Sequence, residues 1–97
     1  MMEGLTITIG SLSRLLVRAG NLLSGISCEI KGLGPPAVST GERTVFMSWD
    51  VGPHHLEVEV ETGKPSEWFY RNRVTGELAG ETFEDTCWMS YFERLAQ

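Results

Sequence analysis

The sequence predicts an α+β fold: an N-terminal helix, an antiparallel meander of three to four strands, and a C-terminal helix packed on the sheet. Three observations carry this. Leu12, Leu15, Leu16, Ala19, Leu22 and Leu23 recur at the spacing of one helical stripe. His55-Leu56-Glu57-Val58-Glu59-Val60-Glu61 alternates apolar and acidic residues without a break, as a strand with one buried face does. Turn residues at Gly52-Pro53, Gly63-Lys64-Pro65 and Gly76 divide residues 44–82 into segments of hairpin length.

The chain of 97 residues is read as one small domain, with 41% hydrophobic and 22% charged residues. That balance is too apolar for a disordered chain. No apolar run approaches the roughly 20 residues needed to span a bilayer. The first charge is Glu3, and no basic region precedes an apolar one, so the chain reads as cytoplasmic, with no membrane partner. Cys28 and Cys87 are too few for a disulfide framework and are expected as half-buried free thiols. The net charge of −5 is uneven. Residues 1–49 carry three acids against four bases, residues 50–97 ten acids against four. An acidic C-terminal half disfavours direct binding to a phosphate backbone and favours a basic partner.

Along the chain, Leu5-Thr6-Ile7-Thr8-Ile9 alternates and is β-branched, which predicts a short strand broken at Gly10. Ser11 is placed to cap the helix that follows, Arg14, Arg18 and Asn21 to lie on its solvent side, and Gly25 to stop it. Residues 26–30 read as either strand or irregular chain. Pro35-Pro36 then imposes an extended connection, since each proline fixes φ and lacks an N–H.

In the sheet, Val45, Met47 and Trp49 share one face and Thr44, Phe46 and Ser48 the other. Setting Trp49 against Leu56 pairs Met47 with Val58 and Val45 with Val60. Setting Val60 against Trp68 pairs Val58 with Tyr70 and places Glu57 opposite Arg71 and His55 opposite Arg73. Such opposite-charge pairs contribute about 0.2–1 kcal/mol each. Val74-Thr75-Gly76 closes the next hairpin, and Leu78–Phe83 is a weak edge strand. The last helix is expected over Glu84–Leu95, capped by Thr82 or Asp85. Its Cys87/Tyr91/Leu95 row, with Trp88 and Phe92 beside it, makes a face wide enough to cover a sheet. The helices are expected either both on the Trp49/Leu56/Trp68 face or one on each.

Candidate chemistry is sparse. His54 and His55 are adjacent on a strand and point to opposite faces, so they do not share one ion. His55, Glu57 and Glu59 share a face but lack the spacing of a zinc site, and no metal or cofactor is expected. Glu57, Glu59 and Glu61 are outward and solvated, whereas a carboxylate acting as a general acid has to be buried to raise its pKa. Gly32 and Gly34 run into prolines and form no dinucleotide loop, and no serine has a nucleophile-elbow context. The expectation is that the protein is not an enzyme. Phe46 and Phe69 fall on the glutamate face, and two phenylalanines amid charges mark a recognition patch. Phe46, Glu57, Glu59, Glu61, Phe69 and Arg71 are therefore the candidate partner-binding residues.

One stretch also resembles known proteins. Pro35-Pro36-Ala37-Val38, the Trp-ended strand Val45–Trp49, Leu56–Val60 and Glu67-Trp68-Phe69-Tyr70-Arg71-Asn72-Arg73-Val74-Thr75-Gly76-Glu77 resemble small uncharacterised bacterial and mobile-element proteins with a PP linker and a WFYR-R-TGE hairpin. The resemblance spans residues 35–77 and carries no catalytic residues. By analogy with small acidic phage inhibitors of the anti-CRISPR kind, it implies a protein that blocks a nucleic-acid-handling complex by occupying its basic groove. Two other expectations stand beside it. One is a metal protein or enzyme using His54, His55 and nearby acids. The other is a homodimer formed through the Leu78–Phe83 edge or the phenylalanine face.

Overall fold

A computed structural model describes residues 2–96, with side chains from residue 12 onward. Its first element is a single helix, α1 (Met2–Glu29). The strand expected at Leu5–Ile9 is part of this helix, and Gly25 does not stop it. The expected cap at Ser11 falls inside the helix, and its side chain lies outside the described ones. The helical stripe is longer than the leucine run alone: Leu15, Ala19, Ile26 and Ile30 are all buried in one core. A strand at 26–30 would forfeit that burial, which outweighs the roughly 1 kcal/mol that each helical glycine costs.

The chain then turns at Gly32 and runs through Pro35-Pro36 into β1 (Ala37–Thr40), a strand the sequence reading missed. Four more strands follow: β2 (Thr44–Val51), β3 (His54–Glu61), β4 (Glu67–Asn72) and β5 (Leu78–Thr82). They form one antiparallel sheet in the order β1-β2-β3-β4-β5. The last element, α2, is shorter than expected, Cys87–Glu93. Thr86 holds its N-cap position without a side-chain bond, while the Asp85 carboxylate accepts the Cys87 N–H at 3.0 Å. Thr82 belongs to β5 and caps nothing.

The β2–β3 register is the expected one, with Val45 on Val60, Met47 on Val58 and Trp49 on Leu56. The β3–β4 register is two residues away from the expected one. Val58 faces Trp68 and Leu56 faces Tyr70, so Glu57 faces Phe69 rather than Arg71, and His55 faces Arg71. A slip of two preserves which side chains are inward, so hydrophobic alternation does not detect it. The connection decides instead: pairing stops at Glu59–Glu67, leaving a longer loop that α1 holds in place. In that loop Arg18 donates to the Glu61 carbonyl at 2.8 Å, to the Lys64 carbonyl, and to Ser66 Oγ at 3.2 Å. Arg18 therefore joins helix to loop and is not a solvent-side residue.

Both helices pack on the same side of the sheet. Across β2–β3–β4 the inner rows read Val45–Val60, Met47–Val58–Trp68 and Trp49–Leu56–Tyr70, all buried. Phe92 and Leu95 of the C-terminal segment close this core with the α1 residues. Phe92 meets Trp49, Trp68, Phe83 and Trp88 edge-on, at centroid distances of 5.8, 6.5, 6.1 and 5.2 Å. Cys87, expected in the covering row, is exposed, as is Cys28; both are free thiols, but exposed rather than half-buried.

Candidate functional site

With both helices on the inner side, the other side of the sheet keeps its residues half-buried or exposed. Strand parity and register arrange it in three rows. The first runs Phe46–Glu59–Glu67–Thr82, the second Ser48–Glu57–Phe69–Gly80, and the third Asp50–His55–Arg71–Leu78. The structure thus brings Phe46, Glu57, Glu59, Phe69 and Arg71 onto one surface, with Glu61 beside Glu59 at the end of β3. Phe46 and Phe69 sit diagonally, with Glu57 and Glu59 between them. The Phe69 ring side of the patch is open, at 38% exposure.

Charge is sorted along the strands. At one end Asp50 forms an ion pair with Arg73 at 2.6 Å and a hydrogen bond with His55 Nδ1 at 2.8 Å. The hydrogen bond from His55 and the nearby Arg73 guanidinium hold the Asp50 carboxyl below its usual range. Arg71 lies exposed in the same row. At the other end the acids crowd. Glu61 pairs with Lys64 at 3.0 Å, which lowers its pKa. Glu59 has Glu67 directly across from it, Glu57 and Glu61 along its own strand, and no base in ion-pair contact among the described residues. Burial, then a hydrogen bond with Glu61, then the charges of Glu61, Glu67 and Glu57 push its carboxyl above the ordinary value.

Glu67 is the residue the sequence reading missed. Its parity with Phe69 already placed it on the outer face, but only the correct register puts it opposite Glu59. Like charges directly opposed on neighbouring strands destabilise a sheet. Because the folded state holds the Glu59 proton more tightly than the unfolded chain, ionising it costs stability as pH rises above its ordinary value of 4.5. Glu59→Gln is therefore expected to stabilise the fold at pH 7 by about 0.5 kcal/mol. The gain should disappear in urea titrations repeated below pH 4.5. A gain of equal size at both pH values would show that charge crowding is not its cause.

The two histidines point to opposite faces and do not converge on one ion. His54 is on the inner side, its Nδ1 bonded to the Tyr70 hydroxyl at 2.7 Å, while His55 is outward and held by Asp50. His55 Nε2 approaches Glu57 at 3.5 Å, and Glu59 does not join them. Among the described residues, the metal-type ligands that approach one another within 4.8 Å are Glu81, Asp85 and Cys87, exposed between the end of β5 and the start of α2. There Asp85 acts as a helix-start acceptor, and its carboxylate raises the Cys87 thiol pKa.

No helix among the described residues is long and apolar enough to cross a membrane. No family model, curated protein or solved structure matches the chain.

Proposed function

We propose that the protein is a non-enzymatic binding module that docks its outer sheet face on a basic surface of a protein partner. The observation that carries this is the pair of outward phenylalanines set diagonally among Glu57, Glu59 and Glu67 on the face that both helices leave bare. Aromatic anchors surrounded by charge are the composition of recognition surfaces, where the apolar centre holds and the charges steer. The acidic excess of residues 50–97 fits a partner whose groove is basic, such as one that holds nucleic acid, and not nucleic acid itself. Occupying that groove would inhibit the partner by occlusion. This is the behaviour implied by the resemblance of residues 35–77 to mobile-element proteins and by the analogy to small phage inhibitors. In this reading the protein acts in the cytoplasm and needs no cofactor.

Reversing two charges tests it. Glu57→Lys with Glu59→Lys is expected to lower capture of the partner from source-cell extract by at least about tenfold, since like charges across an interface cost several kcal/mol. Wild-type capture should weaken with added salt. Undiminished capture by the double variant at both low and high salt would remove this face from the function.

A further inference from the structure

The outer face has a recess of about 380 Å³ around Phe69. Glu57 is directly across from the ring on β3, and Glu59 and Glu67 face each other in the adjoining row. On the β5 side the position opposite Phe69 is Gly80. A Cβ at Gly80 would lie 2.8 Å from the Trp68 carbonyl oxygen and 3.7 Å from Phe69 Cδ1, so this site accepts no side chain and the space beside the ring stays open. Of the bases around the patch, Lys64 is engaged by Glu61 and Arg73 by Asp50, while Arg71, two positions from Phe69 along β4, does not line the recess. An aromatic ring with a bare flank and three carboxylates is complementary to one kind of group, a flat cation.

We propose that this recess receives a single arginine side chain of the protein partner, its guanidinium plane against Phe69 and its N–H groups shared among Glu57, Glu59 and Glu67. The inference rests on the docking reading above and names the anchor within it. Arginine fits better than lysine for physical reasons. A guanidinium is planar, stacks on aromatic faces, sheds water more readily than an ammonium, and presents several donors to more than one carboxylate at once. A lysine ammonium can also sit over the ring, but it has no plane to stack on it and no fork to share among the carboxylates.

The test uses the full chain, isotopically labelled, and two peptides of equal length, one of alternating arginine and glycine and one of alternating lysine and glycine. The arginine peptide is expected to shift the Gly80 amide and Phe69 ring signals and to bind about fivefold more tightly than the lysine peptide, the scale of an exposed cation–π contact. Glu67→Gln should weaken arginine-peptide binding about threefold, as loss of an exposed ion pair does. Phe69→Leu should bring the two peptides to equal affinity while inner-face signals stay in place. Equal affinities for the wild type, shifts confined to another face, or no shifts at all would overturn the proposal. So would movement of the same signals on dilution of the protein alone, which would make a second copy the occupant. If charge reversal abolishes partner capture but the arginine peptide does not bind, the docking reading survives and the anchor fails. If the peptide fills the recess but charge reversal leaves capture intact, the docking reading fails and the recess remains.

Discussion

Phe92→Ala is expected to cost about 3–5 kcal/mol of folding stability, the usual scale for truncating a fully buried phenylalanine. Phe92 is 0% exposed. It is the point at which α2, the two sheet tryptophans and the β5–α2 connection meet, each ring approaching it edge-on. Such edge contacts add to the area term, and the cavity left by alanine has rigid tryptophans for walls, so it collapses poorly. A domain of this size has about 5–15 kcal/mol in hand, and a melting temperature lower by roughly 15–30 °C is the expected reading. Circular dichroism melts and urea titrations measure it. Phe69→Ala is the matched control, because it removes the same side chain from the outer face and should cost less than about 1 kcal/mol. Equal losses at the two sites would mean that the outer face is also packed.

Arg94→Met carries the second largest effect, about 1.5 kcal/mol, as the sum of an exposed ion pair, a cation–π contact and one hydrogen bond. Arg94 lies just beyond α2, and its guanidinium carbon stands 5.1 Å from the Tyr70 ring centre and 4.8 Å from that of Tyr91. One nitrogen, Nη1, donates to Glu77 at 2.9 Å and to the Tyr70 hydroxyl at 3.2 Å. Tyr70 is wholly buried, so its hydroxyl needs partners. It accepts from Arg94 and is hydrogen-bonded to His54 Nδ1, 2.7 Å away. Methionine preserves the aliphatic stem and removes only the polar functions. The bonds to Tyr70 and Glu77 raise the Arg94 pKa, so the cation persists through the whole working range. The loss should therefore be the same at pH 6 and pH 9, and smaller in high salt. A neutral Arg94→Met would show that this contact contributes no stability.

Neither residue stood out before the fold was known, and the reasons are physical. Phe92 was one of several aromatics on a helix whose predicted length was nearly twice the observed one. Its rank came from converging elements, not from its neighbours in sequence. Arg94 sits 24 positions from Tyr70 and 17 from Glu77, and no local pattern joins them. The N-terminal segment misled for a different reason. A β-branched alternation over five residues carries a weak preference, and a long helix with a core-facing stripe overrode it. The strand Ala37–Thr40 was hidden because all four of its residues are exposed, which leaves no alternation to read.

The outer face divides along the same line. The period of two along each strand was enough to assign Phe46, Glu57, Glu59, Glu61, Phe69 and Arg71 to one side, because side-chain direction is a property of the extended backbone alone. The same period with the turn residues gave the antiparallel meander and the buried partners Val45, Met47, Trp49, Leu56, Val58 and Val60, and the helical spacing gave the two helices. Which glutamate meets which residue was beyond it. A shift of two residues leaves every side chain on its own face, and only the loop held by Arg18 selects between the registers. That selection sets Glu59 against Glu67 and Glu57 against Phe69. Which face remains bare was likewise a tertiary matter, since the outward Phe46 and Phe69 left a covering helix open on that side and only packing placed both helices behind the tryptophans.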